Sequence, residues 1–215
     1  MIARSPQGAI ETTAMLKIYG VPQSRAQRTL WMAEECGVPY ELVTTSFAED
    51  SKKPDYLKIN PNGRIPAIDD DGLVVWESMA INLHLAKKYG KTLAPKDAAE
   101  EAHATQWSFW GMTEIEKTLL AAMFARTGFL GTRKDEAEAL RLFGELKRPL
   151  DVLEGHLKTR PHLLGERFTV ADLNVAAILS WAQMGRFDLT PWPTVANWLN
   201  RCLSRPAAAK ARALR

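Results

Sequence analysis

Short apolar runs alternate with one amphipathic run through the first ninety or so residues, and after that the strand-like alternation disappears. Residues 16–19, Leu-Lys-Ile-Tyr, place apolar side chains at every second position, the period of a half-buried strand, and the run stops at Gly20-Val21-Pro22. Ser24 then opens a helical pattern that reaches Cys36, with Gly37 standing where a C-terminal stop belongs. Residues 40–44 are β-branched and aromatic enough for a second strand. A strand-helix-strand unit implies parallel strands and a right-handed crossover. Residues 47–59 are polar and irregular, which predicts a short helix over a variable loop.

Asn60-Pro61-Asn62-Gly63 is a turn by composition, and strands are predicted over 65–69 and 73–76, joined through the hairpin signal Asp70-Asp71-Gly72. Residues 78–89 carry Met79, Ile81, Leu83, Leu85 and Ala86, with Lys87-Lys88 near the end and Gly90 after it, the pattern of a capped helix. The order is β-α-β-α-β-β-α. Residues 91–97, with Pro95 and no period, read as a connector, so a first domain is expected over 15–90 and a second over 98–215. The second domain should be all α, with helices over about 98–126, 134–159, 169–184 and 193–203 and a short final turn. Phe168-Thr169-Val170-Ala171-Asp172-Leu173 reads as a capping box with a hydrophobic staple, which makes Asp172 architectural.

Pro66 breaks the strand grammar. Proline donates no amide and is confined to edges or special turns, so a strand over 65–68 has an interrupted ladder, and a cis bond before Pro66 is the usual way to hold such a bend. The free backbone groups of Ile65 could then pair with an extended peptide, as an added strand would; an ordinary edge strand is the alternative.

Bulk properties narrow the class. A hydrophobic fraction of 46% and a charged fraction of 25% describe an ordinary folded, soluble protein. The net charge of +3 comes largely from a C-terminal tail with Arg205, Lys210, Arg212 and Arg215, read as a solvated helix end. No clustered basic face or nucleic-acid motif accompanies it, so no nucleic-acid partner is expected. Cys36 and Cys202 lie far apart in no paired motif, which fits a reducing, cytoplasmic setting, and no metal site is expected from the histidine and cysteine spacing. The longest uncharged run is too short for a membrane span, and residues 1–14 lack a secretory h-region and are expected to be loosely held.

Four motifs in order, Tyr19-Gly20-Val21-Pro22-Gln23-Ser24, Asn60 through Ile68, Glu77-Ser78 and Phe168 through Asp172, resemble the cytosolic glutathione transferases over nearly all of residues 15–205. The spacing around Ser24 looks like the serine-type branches, phi/theta-like and bacterial, and no cysteine stands at Gln23, Ser24 or Arg25 as it does in the disulfide-exchanging branches. The resemblance implies a thioredoxin-like first domain, an all-helical bundle as the second, glutathione as co-substrate, and a homodimer. It implies Ser24 as the residue contacting the thiolate, although serine is also a favoured N-cap. It likewise implies Glu77 and Ser78 at the γ-glutamyl end, where a capping pair is the alternative, and Arg64, Ile65 and Pro66 beside the middle of the tripeptide. An electrophile pocket is expected between the domains, with Trp107, Trp110 and Trp181, and further Phe109, Met112 and Met184, as candidate lining. Arg25, Gln27 and Arg28 could face a partner subunit or the ligand, with a solvated face as the leading expectation. The implied activity is conjugation of the glutathione thiolate to small hydrophobic electrophiles. Dehalogenation, peroxide reduction, isomerisation and a non-catalytic interaction module stay open on the same scaffold.

Overall fold

A computed structural model describes residues 15–214. A four-stranded mixed sheet organises the first half in the order β2-β1-β3-β4. β1 (Leu16–Gly20) runs parallel to β2 (Tyr40–Thr44), with Leu16 opposite Tyr40. β3 (Ala67–Asp70) is antiparallel both to β1 and to β4 (Leu73–Trp76). The alternation read from the sequence is real: Leu16, Ile18 and Ile68 are fully buried under the helices. Asp71 and Gly72 both adopt positive φ, 58° and 85°, as a two-residue hairpin loop that matches strand twist requires.

Two boundaries move. The third strand starts at Ala67, so Pro66 precedes the ladder instead of interrupting it, and the Ile65–Pro66 bond is cis. Helix α1 (Ala26–Cys36) starts two residues after Ser24, with Arg25 at its N-cap and no side-chain cap bond, and ends at Gly37 in the left-handed region, φ 64°. The irregular stretch contains a single turn, α2 (Pro54–Leu57), and α3 (Ser78–Tyr89) follows the hairpin.

The second half is helical. α4 (Ala98–Trp110) continues through a π-helical stretch, Gly111–Glu116, into α5 (Lys117–Thr127), forming one long rod. The single helix expected over 134–159 is two, α6 (Glu136–Glu145) and α7 (Lys147–Leu157). Pro149 explains the break: it has no amide for the carbonyl four residues earlier, and in the first turn of a new helix none is missed. α8 (Val170–Met184) is buried on every side from Val170 to Leu179 and forms the centre against which α4 and α9 (Pro193–Leu203) pack. No described helix is long and apolar enough to cross a membrane.

The C-terminal basic stretch is not a solvated tail. It forms an eight-residue helix, α10 (Pro206–Ala213), packed on α1. Arg205 grips Glu35 through Nε and Nη2 at 2.6 and 2.7 Å, and Lys210 meets Glu34 at 2.6 Å. Acidic residues on α1 thus recruit the basic end of the chain. Arg215 and the expectation about residues 1–14 lie outside the described residues.

Asp172 behaves as its capping signature predicts. Its Oδ2 accepts from the Thr169 amide at 3.0 Å, and its Oδ1 accepts from the Leu163 amide and the Trp198 indole, both at 2.9 Å. Phe168 and Leu173 are buried beside it. Every oxygen is occupied within the core.

Candidate functional site

β1 ends in Gly20, where an added Cβ would stand 2.6 Å from the Cβ of Ala26, so only glycine lets the strand end approach the start of α1 this closely. The tight passage folds Val21 through Ser24 into a turn. The Ser24 amide and hydroxyl both donate to the Val21 carbonyl, at 3.1 and 2.7 Å, and the hydroxyl oxygen accepts from the Ala26 amide at 3.1 Å. Ser24 is therefore half-buried at the mouth of α1, its proton held by a neutral carbonyl.

Across the gap, Lys52 Nζ bonds the Gly63 carbonyl, and the Arg64 carbonyl accepts from Tyr56 and Asn60, both at 2.7 Å. These bonds pin the loop in place. Ile65 and Pro66 are buried and Arg64 is exposed. Among the described residues, the backbone of Ile65 enters no bond outside the strands, as a receptor for an extended peptide would require.

Glu77 is the N-cap of α3 and sits at φ 73°, ψ 116°, a conformation that costs a non-glycine residue about 1–3 kcal/mol and that clusters at functional sites. It holds the exposed Glu77 carboxylate and the buried Ser78 hydroxyl at the same helix N-terminus. Backbone amides there suit a carboxylate, and Glu77 suits an ammonium.

One cavity of about 1270 Å³ joins these groups, with Ser24, Arg64, Ile65, Pro66, Glu77 and Ser78 on one side and the helical half on the other. Of the expected acceptor-side residues, Trp181, Met112 and Met184 line it. Trp107 and Trp110 do not. Trp107 is buried edge-on against Trp110, 5.0 Å between ring centroids, and against His156 of α7 at 4.7 Å, because that face of α4 turns toward the helical core. Phe109, which is 66% exposed, points to neither.

The α1 arginines also differ from expectation. Arg28 is buried, and Arg25 and Arg28 share one oxygen of Glu116, at 2.5 and 3.3 Å. Trp181 stacks beneath both guanidiniums, 4.7 Å from Arg28 and 5.6 Å from Arg25. Burial pulls the Arg28 guanidinium down to about 10, with Glu116 working against that fall. α3, α8 and α10 pack around α1 and close off Arg28, while Arg25 stays partly exposed at the cavity. The π-helical stretch carries Glu116, and its Gly111 lies where an added Cβ would stand 2.8 Å from Ile178. Glu116, Lys52 and Phe47 line the cavity and were not singled out from sequence, since Lys52 and Phe47 sit in a stretch without period and Glu116 meets its partner 91 residues away; Asn60, read from sequence as part of a turn, lines it too. No grouping of three or more metal-ligating side chains occurs among the described residues.

A thioredoxin-like domain joined to a helical domain, with a peptide-receptive rim between them, is the architecture of glutathione transferases. Residues 14–87 match the description "Glutathione S-transferase, N-terminal domain", and residues 107–206 match "Glutathione S-transferase, C-terminal domain". Glutathione S-transferase D7 of Anopheles gambiae is 32% identical over 86% of this chain and 84% of its own length. The disulfide-bond oxidoreductase YfcG of Escherichia coli is 31% identical over 92% of this chain and 94% of its own. Among solved structures, the theta class glutathione S-transferase of Xanthomonas axonopodis pv. citri with glutathione bound superposes with a TM-score of 0.84 at 27% identity, covering 94% of this chain and 99% of that one. The chain belongs to the cytosolic glutathione S-transferase family.

Proposed function

We propose that the protein binds glutathione along the rim of the first domain and conjugates its thiolate, the tripeptide staying whole, to small hydrophobic electrophiles held against the helical domain. The observation that carries this reading is the convergence of Ser24, Ile65, Glu77 and Ser78 on one cavity with an apolar opposite wall. In this reading the Glu77 carboxylate takes the γ-glutamyl ammonium, Ser78 and the α3 amides take its carboxylate, Ile65 pairs with the tripeptide backbone, and Arg64 flanks it. Lys52 suits the far carboxylate.

Ser24 would act on the sulfur. A free thiol with a pKa of about 8.5 is only a few per cent ionised at neutrality, and lowering that by about two units needs roughly 2.7 kcal/mol of selective anion stabilisation. A hydroxyl donating to a charged acceptor contributes about 1.5–3 kcal/mol, and a helix N-terminus up to about 2 kcal/mol. Redirecting the Ser24 proton from the Val21 carbonyl to a thiolate exchanges a neutral acceptor for a charged one, so no general base is required. The serine-type assignment, a cytoplasmic location and a homodimer belong to the same proposal. Leu73, Val74 and Trp76, exposed along edge strand β4, support the dimer.

The test is retention on immobilised glutathione together with turnover of chlorodinitrobenzene, comparing native protein with Ser24→Ala. Turnover should fall while retention persists; equal rates would remove Ser24 from the chemistry, and loss of retention in the native protein would remove the tripeptide. The relative named as a disulfide-bond oxidoreductase favours one second reading, reduction of disulfides by glutathione. Burial pushes the Cys36 thiol up to about 12 and raises Cys202 further, so the sulfur chemistry would belong to glutathione itself. Reduction of hydroxyethyl disulfide faster than conjugation of every electrophile tried would favour that reading.

A further inference from the structure

The acceptor side of the cavity is apolar in bulk, with Leu120, Met123, Phe124 and Phe129 among its lining, yet it holds two guanidiniums, those of Arg25 and Arg212. The only carboxylate on that side among the described residues, Glu116, is already shared between Arg25 and Arg28. Arg25, Arg28 and Arg212 against that one carboxylate leave net positive charge beside an apolar slot, with Arg25 partly and Arg212 largely open to it. Arg25 reaches Glu116 through Nε, which leaves both terminal nitrogens of its fork for another acceptor, and its side chain is 40% exposed. Trp181 and the buried Glu116 hold that fork in place. Arg212 comes from α10, where its Nη2 donates to the Leu203 carbonyl at 2.6 Å. Arg212 and Ser24 also both border a small side chamber of about 50 Å³. The carboxylates of a bound tripeptide would have their own stations at α3 and Lys52, so these two cations face the acceptor.

We propose that the acceptor this cleft prefers is an acidic one: an apolar, usually aromatic body bearing a carboxylate or sulfonate that Arg25 and Arg212 receive. The inference rests on the transferase reading for the word acceptor, but it can be read without chemistry. A planar guanidinium fork meets a carboxylate through paired charge-assisted bonds, which an amide of the same shape does not reproduce.

The experiment measures binding of naphthoate and of the matching naphthamide by quenching of tryptophan fluorescence, with S-methylglutathione saturating so that the tripeptide stations are filled. Naphthoate should bind about tenfold tighter than naphthamide in the native protein, with a preference that shrinks as salt is raised. Arg25→Gln and Arg212→Gln should each pull the ratio toward one, and Arg25→Lys should restore part of it because charge returns without the fork. A change in folding alone would weaken both ligands together and leave the ratio standing. Equal binding of the two ligands in the native protein, or a preference that survives both glutamine variants, overturns the inference. An acid preference in a protein that conjugates nothing would sustain the cationic slot while sinking the transferase reading.

Discussion

Helices α8 and α1 each begin beside a hydroxyl residue, and the contrast between them separates architecture from chemistry. At α8 the N-terminus is closed: Thr169 and Asp172 cap it inside the core, and the remaining lone pairs of Asp172 are spent on Leu163 and Trp198. At α1 the N-cap residue makes no side-chain cap bond, and Ser24 opens into the cavity with its proton on a neutral carbonyl. A polar group that is fully committed stabilises one structure. A polar group whose commitment is local and weak can be recommitted to a ligand at small cost.

Replacing Asp172 with Ala should have the largest effect on folding, because four buried donors, the amides of Leu163 and Thr169, the Thr169 hydroxyl and the Trp198 indole, lose their acceptor at about 1–3 kcal/mol each. Urea denaturation should show a loss of at least about 3 kcal/mol, with glutathione binding unimpaired in whatever folded protein remains. Ser24→Ala should invert that pattern. Its cost to stability should stay near 1 kcal/mol or below, while the conjugation rate falls about ten- to a hundredfold, the equivalent of one hydrogen bond to an anion. A variant at Ser24 that unfolds the protein, or one at Asp172 that leaves stability untouched, would erase the distinction.

Gly111→Ala sharpens the comparison on the acceptor side. The added methyl meets Ile178 and should cost about 1–3 kcal/mol by overpacking. Because the same π-helical stretch carries Glu116, the change should also disturb the Arg25 pair and raise the KM for the acceptor more than that for glutathione.

Asp70 supplies the smallest effect and the pH signature. It is buried at the end of β3 and accepts from His84 at 2.6 Å, Lys88 at 2.8 Å and Tyr89 at 2.6 Å. Burial alone would push its carboxyl up, but the bonds from Lys88, Tyr89 and His84 outweigh it and hold the pKa below the usual carboxylate value. Its stabilising contribution is therefore full above about pH 4 and disappears as pH falls through the lower folded value. Asp70→Asn should lose about 1–2 kcal/mol at neutral pH, and the gap between variant and native urea midpoints should close on acidification.

The periodic parts of this molecule were legible because period and burial have one cause. Alternation at Leu16 and Ile18 exposed the strand, and Thr169 with Asp172 exposed a helix start, since both signals are local. Ser24, Pro66 and Glu77-Ser78 were legible for the same reason, each marking a place where the chain departs from the element around it. The Arg25, Arg28 and Glu116 cluster was not, because nothing local distinguishes an arginine on a solvated helix face from one enclosed by α8 and α10. The tryptophans could not be told apart for the same reason. Trp107 and Trp181 have equal claims by composition, and only the rotation of α4 and α8 decides that one packs in the core and the other floors the cleft.

The most direct measurement of the central claim is ultraviolet titration of the thiolate of glutathione bound to the protein, native against Ser24→Ala. The account predicts ionisation near pH 6.5 in the native complex, about two units below free glutathione, and a return toward about 8.5 when the hydroxyl is removed. Identical titrations in the two proteins, or a native thiol that ionises no earlier than free glutathione, would contradict it.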